Sequence, residues 1–169
     1  VATAGLGIIK INQHTKQIKG FDRYTYTKSK ISSNFFDLLY NLPDGRIIST
    51  MLSTIIIIEP TLENFQCRYN NPDTLYNIWN ITSLQPEKDS TLLILQSNGR
   101  IIKYDLKTST FISEWQQIKQ AINDVETFKI MKDKFGFGYW IGSNKGLIHI
   151  DNNGHILKHL LLHGKNNNT

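Results

Sequence analysis

Short apolar runs alternate with small polar turns along the whole chain, and the pattern recurs. The stretch YWIGSNKGLIHIDNNG, residues 139–154, shows the unit. One apolar run ends at a glycine and a polar turn, a second run follows at once, and it stops at an acidic residue. The second runs GIIKIN, IIIIE, RIIKYD and GLIHID close on Asn12, Glu59, Asp105 and Asp151, at intervals of 47, 46 and 46 residues. The first runs close on Val1, Ile48, Leu95 and Ile141, at intervals of 47, 47 and 46 residues. A period kept by two anchors marks a repeat architecture.

The rest of the unit follows from the same pattern. After the closing position a turn leads to a further strand, as in PTLENF and LKTSTF, and in the last copy Asn153-Gly154 is a hairpin signal. Ahead of each first run lies another apolar segment, in which Phe35 and Leu38, Ile78 and Ile81, and Val125 and Phe128 keep the same spacing. Each unit therefore reads as about four short antiparallel strands in ~46 residues. Ile, Phe, Tyr, Thr and Trp are common in the runs, as strands favour. The strands before the closing anchors are nearly continuous in apolar residues, apart from Lys10, Lys103 and His149 at one place. A strand apolar on both sides belongs to a sheet covered on both sides. Stacked four-stranded sheets provide that cover, which points to an all-β fold of β-propeller blades. The expected division is a partial unit at 1–29 and units at 30–71, 72–117 and 118–163: about three full blades plus part of another. Trp115, Ile118, Ile122 and Val125 are spaced for a helix, so a short helical turn is expected before the strand at Val125.

Composition narrows the function classes. The chain has 169 residues, 40% hydrophobic and 20% charged, a globular balance. The net charge is +5, but the 19 Lys and Arg residues are scattered, unlike the concentrated patch of a nucleic-acid footprint. The one cysteine, Cys67, forms no disulfide within the chain and reads as a small strand residue. The longest apolar runs, Ile55 to Ile58 and Leu160 to Leu162, fall far short of the ~20 residues of a membrane helix. The chain opens on Val1 with no charged-then-apolar leader, and reads as a piece of something longer.

YWIGSNKGLIHIDNNGHI resembles the two-component regulator propeller repeat: Trp140, Ile141, Gly142, Ser143, Gly146, Leu147 and Asp151 match its Trp-Ile-Gly-Thr run, Gly-Leu pair and closing Asp. VATAGLGIIKIN and NGRIIKYDLKTSTF are weaker copies, and RIISTMLSTIIIIEPTLENF is degenerate. The resemblance implies the periplasmic sensor part of a hybrid two-component receptor, followed in such receptors by a further β-domain, a membrane helix and a kinase. It implies oligosaccharides from polysaccharide breakdown as a ligand class. Kinase activity and any membrane contact would then lie in parts of the receptor outside this chain. Propellers of this family usually have seven blades, so the open blade edges here are expected to meet further blades or a second copy.

No catalytic constellation is visible. His155, His159 and His163 would share a face on a helix, but in a strand and loop they scatter, and no acidic residue completes a metal site. Gly136 and Gly138 lack the strand-to-helix context of a phosphate loop and read as a hairpin. No cofactor is implied. The candidate ligand-binding residues are Asn34, Asn77 and Asp124, which lead into the innermost strands, and Tyr76 beside Asn77. Polar groups repeated around a channel mouth, with an aromatic beside them, suit sugar hydroxyls and a ring face. The competing role for Asn and Asp there is fixing a turn. Trp79, Trp115 and Trp140 read as blade packing. The two functions that follow are a ligand sensor without chemistry of its own and a non-catalytic scaffold for protein contact or dimerisation.

Overall fold

The computed structural model describes residues 2–3, 7–21, 38–42, 44–51, 54–59, 64–68, 80–108 and 110–161. Val1, Phe35 and Ile78 lie outside them. The fold is all-β and propeller-like: strands gather in antiparallel sheets, and within each sheet every strand pairs with its sequence neighbours. The chain divides into two compact units, residues 1–81 and 82–169.

The first unit holds a three-stranded sheet of β1 (Ala2–Thr3), β2 (Gly7–Ile11) and β3 (Ile18–Phe21). It also holds a four-stranded sheet of β4 (Leu38–Asn41), β5 (Ile47–Met51), β6 (Thr54–Glu59) and β7 (Asn64–Arg68). Ile55, Ile56, Ile57 and Ile58 of β6 are all buried, so this strand is covered on both faces. Cys67 lies in β7.

The second unit holds two four-stranded sheets. One consists of β8 (Ile81–Pro86), β9 (Thr91–Gln96), β10 (Ile101–Asp105) and β11 (Thr110–Trp115). The other consists of β12 (Thr127–Lys132), β13 (Tyr139–Ser143), β14 (Gly146–Ile150) and β15 (Ile156–Leu161). The chain joins them through a short α-helix, α1 (Gln117–Ala121), where the sequence predicts a helical turn. Its Ile118 is buried in a core shared with Leu93, Leu95 and Ile101 of one sheet and Ile141, Ile148 and Ile150 of the other.

Three of the four closing anchors, Asn12, Asp105 and Asp151, have a common physical role. Asn12 Oδ1 accepts the N–H groups of His14 and Thr15 at 2.9 and 3.1 Å. Asp105 Oδ1 accepts those of Lys107 and Thr108 at 2.7 and 3.2 Å, and Asp151 Oδ1 those of Asn153 and His155, both at 2.8 Å. A short side chain that satisfies two backbone donors fixes the turn to the next strand. Three hairpins share a second device. The backbone pairs Leu42 with Arg46, Gln96 with Arg100, and Asp151 with His155 each enclose a loop that ends in a glycine. Those glycines, Gly45, Gly99 and Gly154, have φ of +87°, +81° and +86°, the left-handed position of a three-residue hairpin.

Two expectations are corrected. The strand expected at Val125 begins at Thr127, and Phe128, expected to repeat an inner position, is 52% exposed. A register shift between Thr127 and Lys129 turns Phe128 outward, while Val125, Thr127 and Ile130 are the buried positions. The anchors Ile48, Leu95 and Ile141 are not equivalent in register. The residues that pair alike are Ser49 with Ile56, Ile94 with Ile102, and Ile141 with Ile148.

Candidate ligand-binding surface

Of the predicted site residues, Asn34, Tyr76 and Asn77 lie outside the described residues, as does Trp79. Asp124 is described, and the structure shows what places it. Helix α1 ends at Ala121, and the chain turns through Ile122 and Asn123 to Asp124, whose φ is +52°. Asp tolerates this left-handed conformation better than most residues. The turn is held from the β13–β14 hairpin. Asn144 donates through Nδ2 to the Asp124 carbonyl at 3.1 Å, and its Oδ1 accepts the Glu126 N–H at 2.8 Å. The backbone N–H of Asn144 also donates to the Glu126 carbonyl at 2.8 Å.

The far end of the loop is pinned to the preceding sheet. Thr127 donates its N–H to the Ser97 carbonyl at 2.7 Å and its hydroxyl to the Gln96 carbonyl at 2.6 Å. Gly99 lets Ile118 and Val125 close over the β9–β10 turn: a Cβ there would lie 3.0 Å from Ile118 Cγ2 and 3.1 Å from Val125 Cγ1. The loop before β12 is thus fixed at both ends.

Beside it opens a recess of about 390 Å³, lined by Asn98, Lys119, Ile122, Asn123, Asp124 and Val125. Its chemistry is mixed. The Asp124 carboxylate is exposed and accepts, the Lys119 ammonium donates, and the two amides do both. Asn98 Oδ1 also accepts the Arg100 N–H at 3.1 Å. Ile122 and Val125 supply apolar surface. Such a set can hydrogen-bond a polar ligand while an apolar patch meets its carbon face. Asn98, Lys119 and Asn123 join the site through tertiary placement; the Ser-Asn-Gly turn signal at 97–99 marks a turn without marking a site.

Elsewhere the polar side chains serve the fold. Arg100 grips Glu114 in two parallel bonds, Nε to Oε1 at 2.6 Å and Nη2 to Oε2 at 2.8 Å, and this pairing holds the Glu114 carboxyl below its ordinary value. Lys132 pairs with Glu87 and lies 5.7 Å from the Tyr139 ring centroid. Burial, then the Glu87 charge and its hydrogen bond, push the Tyr139 phenol up. His149 stacks on Trp140, with centroids 4.2 Å apart, and its Nε2 is 3.3 Å from Asp133 Oδ2. His155 turns back on Asp151, and His159 donates to the Lys145 carbonyl; His163 lies outside the described residues. Among the described residues no three His, Cys, Asp or Glu side chains gather as a metal site, and no helix is long and apolar enough to cross a membrane. Trp115 packs on Gly154, where a Cβ would lie 2.7 Å from its Cγ.

No protein-family profile matches the chain, and no curated protein matches its sequence. Solved structures do match its fold. Two structures of the extracellular domain of BT4673 from B. thetaiotaomicron, one assigned as a one-component and the other as a hybrid two-component system, superpose with TM-scores of 0.71 and 0.70 at 14% identity, covering 94% and 97% of the chain. The extracellular domain of BT3049 from the same organism, assigned as a hybrid two-component system, gives 0.69 at 18% identity over 92% of the chain. The chain spans about a fifth of the length of each: 20%, 21% and 21%.

Proposed function

We propose that this chain is part of the extracytoplasmic, periplasmic sensor region of a hybrid two-component receptor, built from two-component regulator propeller repeats. It binds a ligand and performs no chemistry of its own. The observation that carries this reading is the fold likeness over more than nine-tenths of the chain to extracellular domains of such receptors. The repeat matched by Trp140, Ile141, Gly142, Gly146, Leu147 and Asp151 supports the same family.

The recess at Asp124 is the binding surface in this reading, and an oligosaccharide is the ligand class it suits. Carboxylate, ammonium and amide groups beside Ile122 and Val125 fit a molecule with hydroxyls around an apolar ring face. Asn34, Tyr76 and Asn77, the other candidates named from the sequence, lie outside the described residues. Ligand binding would pass a change of shape to a kinase elsewhere in the receptor.

A thermal-shift panel of neutral, acidic and amino oligosaccharides on the 169-residue chain tests the proposal. At least one sugar class raises the melting temperature progressively with its concentration. Silence across the whole panel removes direct sugar sensing by this part of the receptor.

A further inference from the structure

Helix α1 is a ridge with a recess on each flank. Lys119 and Ile122 line the Asp124 recess. Gln117, Gln120 and Ala121, with His155 and Ile156, line a second recess of about 340 Å³. The helical period produces this division. Gln117 and Ala121 lie one turn apart on one flank, Lys119 and Ile122 lie on the other, and the buried Ile118 between them anchors the helix.

The second recess is built by tertiary contacts. Trp115 packs on Gly154, which brings the β14–β15 turn against the start of α1. Asp151 sets the histidine of that turn: its Oδ1 accepts the His155 N–H at 2.8 Å, and its Oδ2 lies 3.0 Å from His155 Nδ1. In the neutral ring Nδ1 carries the proton toward this carboxylate, so Nε2 is an acceptor. The Gln117 side-chain oxygen is a second acceptor, and it is buried with no donor among the described residues. An acceptor withdrawn from water without a donor is costly, and a ligand hydroxyl that reaches it relieves that cost. Ala121 and Ile156 add apolar surface, and no Lys or Arg lines the recess. Acceptors beside apolar surface, without a cation, suit a ring that carries hydroxyls and not a carboxylate.

We propose that the ligand is a neutral oligosaccharide that crosses α1, with one end in the Asp124 recess and the other in the recess of Gln117 and His155. This deepens the reading of the Asp124 recess as a sugar site and rests on it. A helix with its side chains is about 10 Å across, so a single sugar ring cannot occupy both recesses. The ligand places a ring on each flank and at least one more over the crest, where Lys119 and Gln120 are exposed. Joining the two subsites in one molecule raises affinity above that of either alone.

Calorimetric titration of the 169-residue chain with three ladders of neutral sugars, β-1,4-xylo-, β-1,4-manno- and α-1,4-gluco-oligosaccharides of one to six rings, tests the proposal. In at least one ladder the affinity rises about tenfold or more once the chain is long enough to span α1, and then levels off. Gln117→Leu and His155→Ala, checked for folding by far-UV circular dichroism and thermal melts, each remove most of that gain and leave the affinity for the shortest binding member unchanged. Asp124→Ala weakens short and long members alike. Affinity that does not depend on length overturns the crossing but leaves the Asp124 site standing. A length gain that persists in both Gln117→Leu and His155→Ala also overturns it, since the longer sugar would then run elsewhere. Silence from all three ladders overturns the crossing together with neutral-sugar binding at Asp124.

Discussion

Thr127 binds the sheet before its own: its hydroxyl donates to the Gln96 carbonyl at 2.6 Å, and both residues are fully buried. The Gln96 carbonyl also accepts the Gly99 N–H at 3.0 Å, so loss of the hydroxyl removes one of its donors and costs about 0.5–1.5 kcal/mol. Thr127→Val, which keeps the shape and removes the hydroxyl, is expected to lower stability by about that amount in urea unfolding. Thr127→Ser should recover most of the loss. A Thr127→Val variant as stable as the unaltered chain would show that the hydroxyl makes no net contribution.

Gly138 and Gly136 separate two costs of a side chain in one hairpin. Both have positive φ, +135° and +80°. A Cβ at Gly138 would lie 1.9 Å from the Ile150 carbonyl oxygen, whereas one at Gly136 has nothing within 4 Å. Gly136→Ala is expected to cost about 1–2 kcal/mol, from backbone strain alone. Gly138→Ala requires a backbone shift as well and should cost more than about 4 kcal/mol, seen as a large fall in melting temperature or loss of soluble protein.

The Arg100–Glu114 pair predicts a pH dependence. Hydrogen bonding to Arg100 holds the Glu114 carboxyl below its ordinary value of 4.5. A depressed folded-state pKa contributes stability that is complete above the unfolded value and is lost as pH falls through the folded one. The stability gap between the unaltered chain and Glu114→Gln should therefore be widest near neutral pH and shrink as the pH falls below 4.5. Urea unfolding at several pH values measures it. A gap that widens in acid contradicts the assignment.

The part of the fold most legible in the sequence was the turn at three of the four closing anchors. Asn12, Asp105 and Asp151 each spend one side-chain oxygen on two backbone donors, so the chemistry demands a short acceptor at that point. The phase of the preceding strand was harder to read. Leu92, Leu93, Ile94 and Leu95 are all 0% exposed, and a strand apolar on both faces carries no alternation to mark its register. The three-residue turn 97–99, where the last sheet has the two-residue turn 144–145, then displaces the count by one. Asp124 was legible as a polar residue before an inner strand. Asn98, Lys119 and Asn144 were not, because helix α1 and two hairpins from different sheets bring them to one place.

The measurement that tests ligand sensing most directly is calorimetric titration of an oligosaccharide into the unaltered chain and into Asp124→Ala and Lys119→Ala variants. Each variant lacks one charge-assisted hydrogen bond to the sugar, so each is predicted to bind about 10- to 100-fold more weakly. Without ligand, Lys119→Ala should leave the melting temperature unchanged, since its side chain is exposed, whereas Asp124→Ala should lower it slightly, because Asp124 sits at a φ of +52°. Affinity that is the same in all three proteins would contradict a binding surface at Asp124.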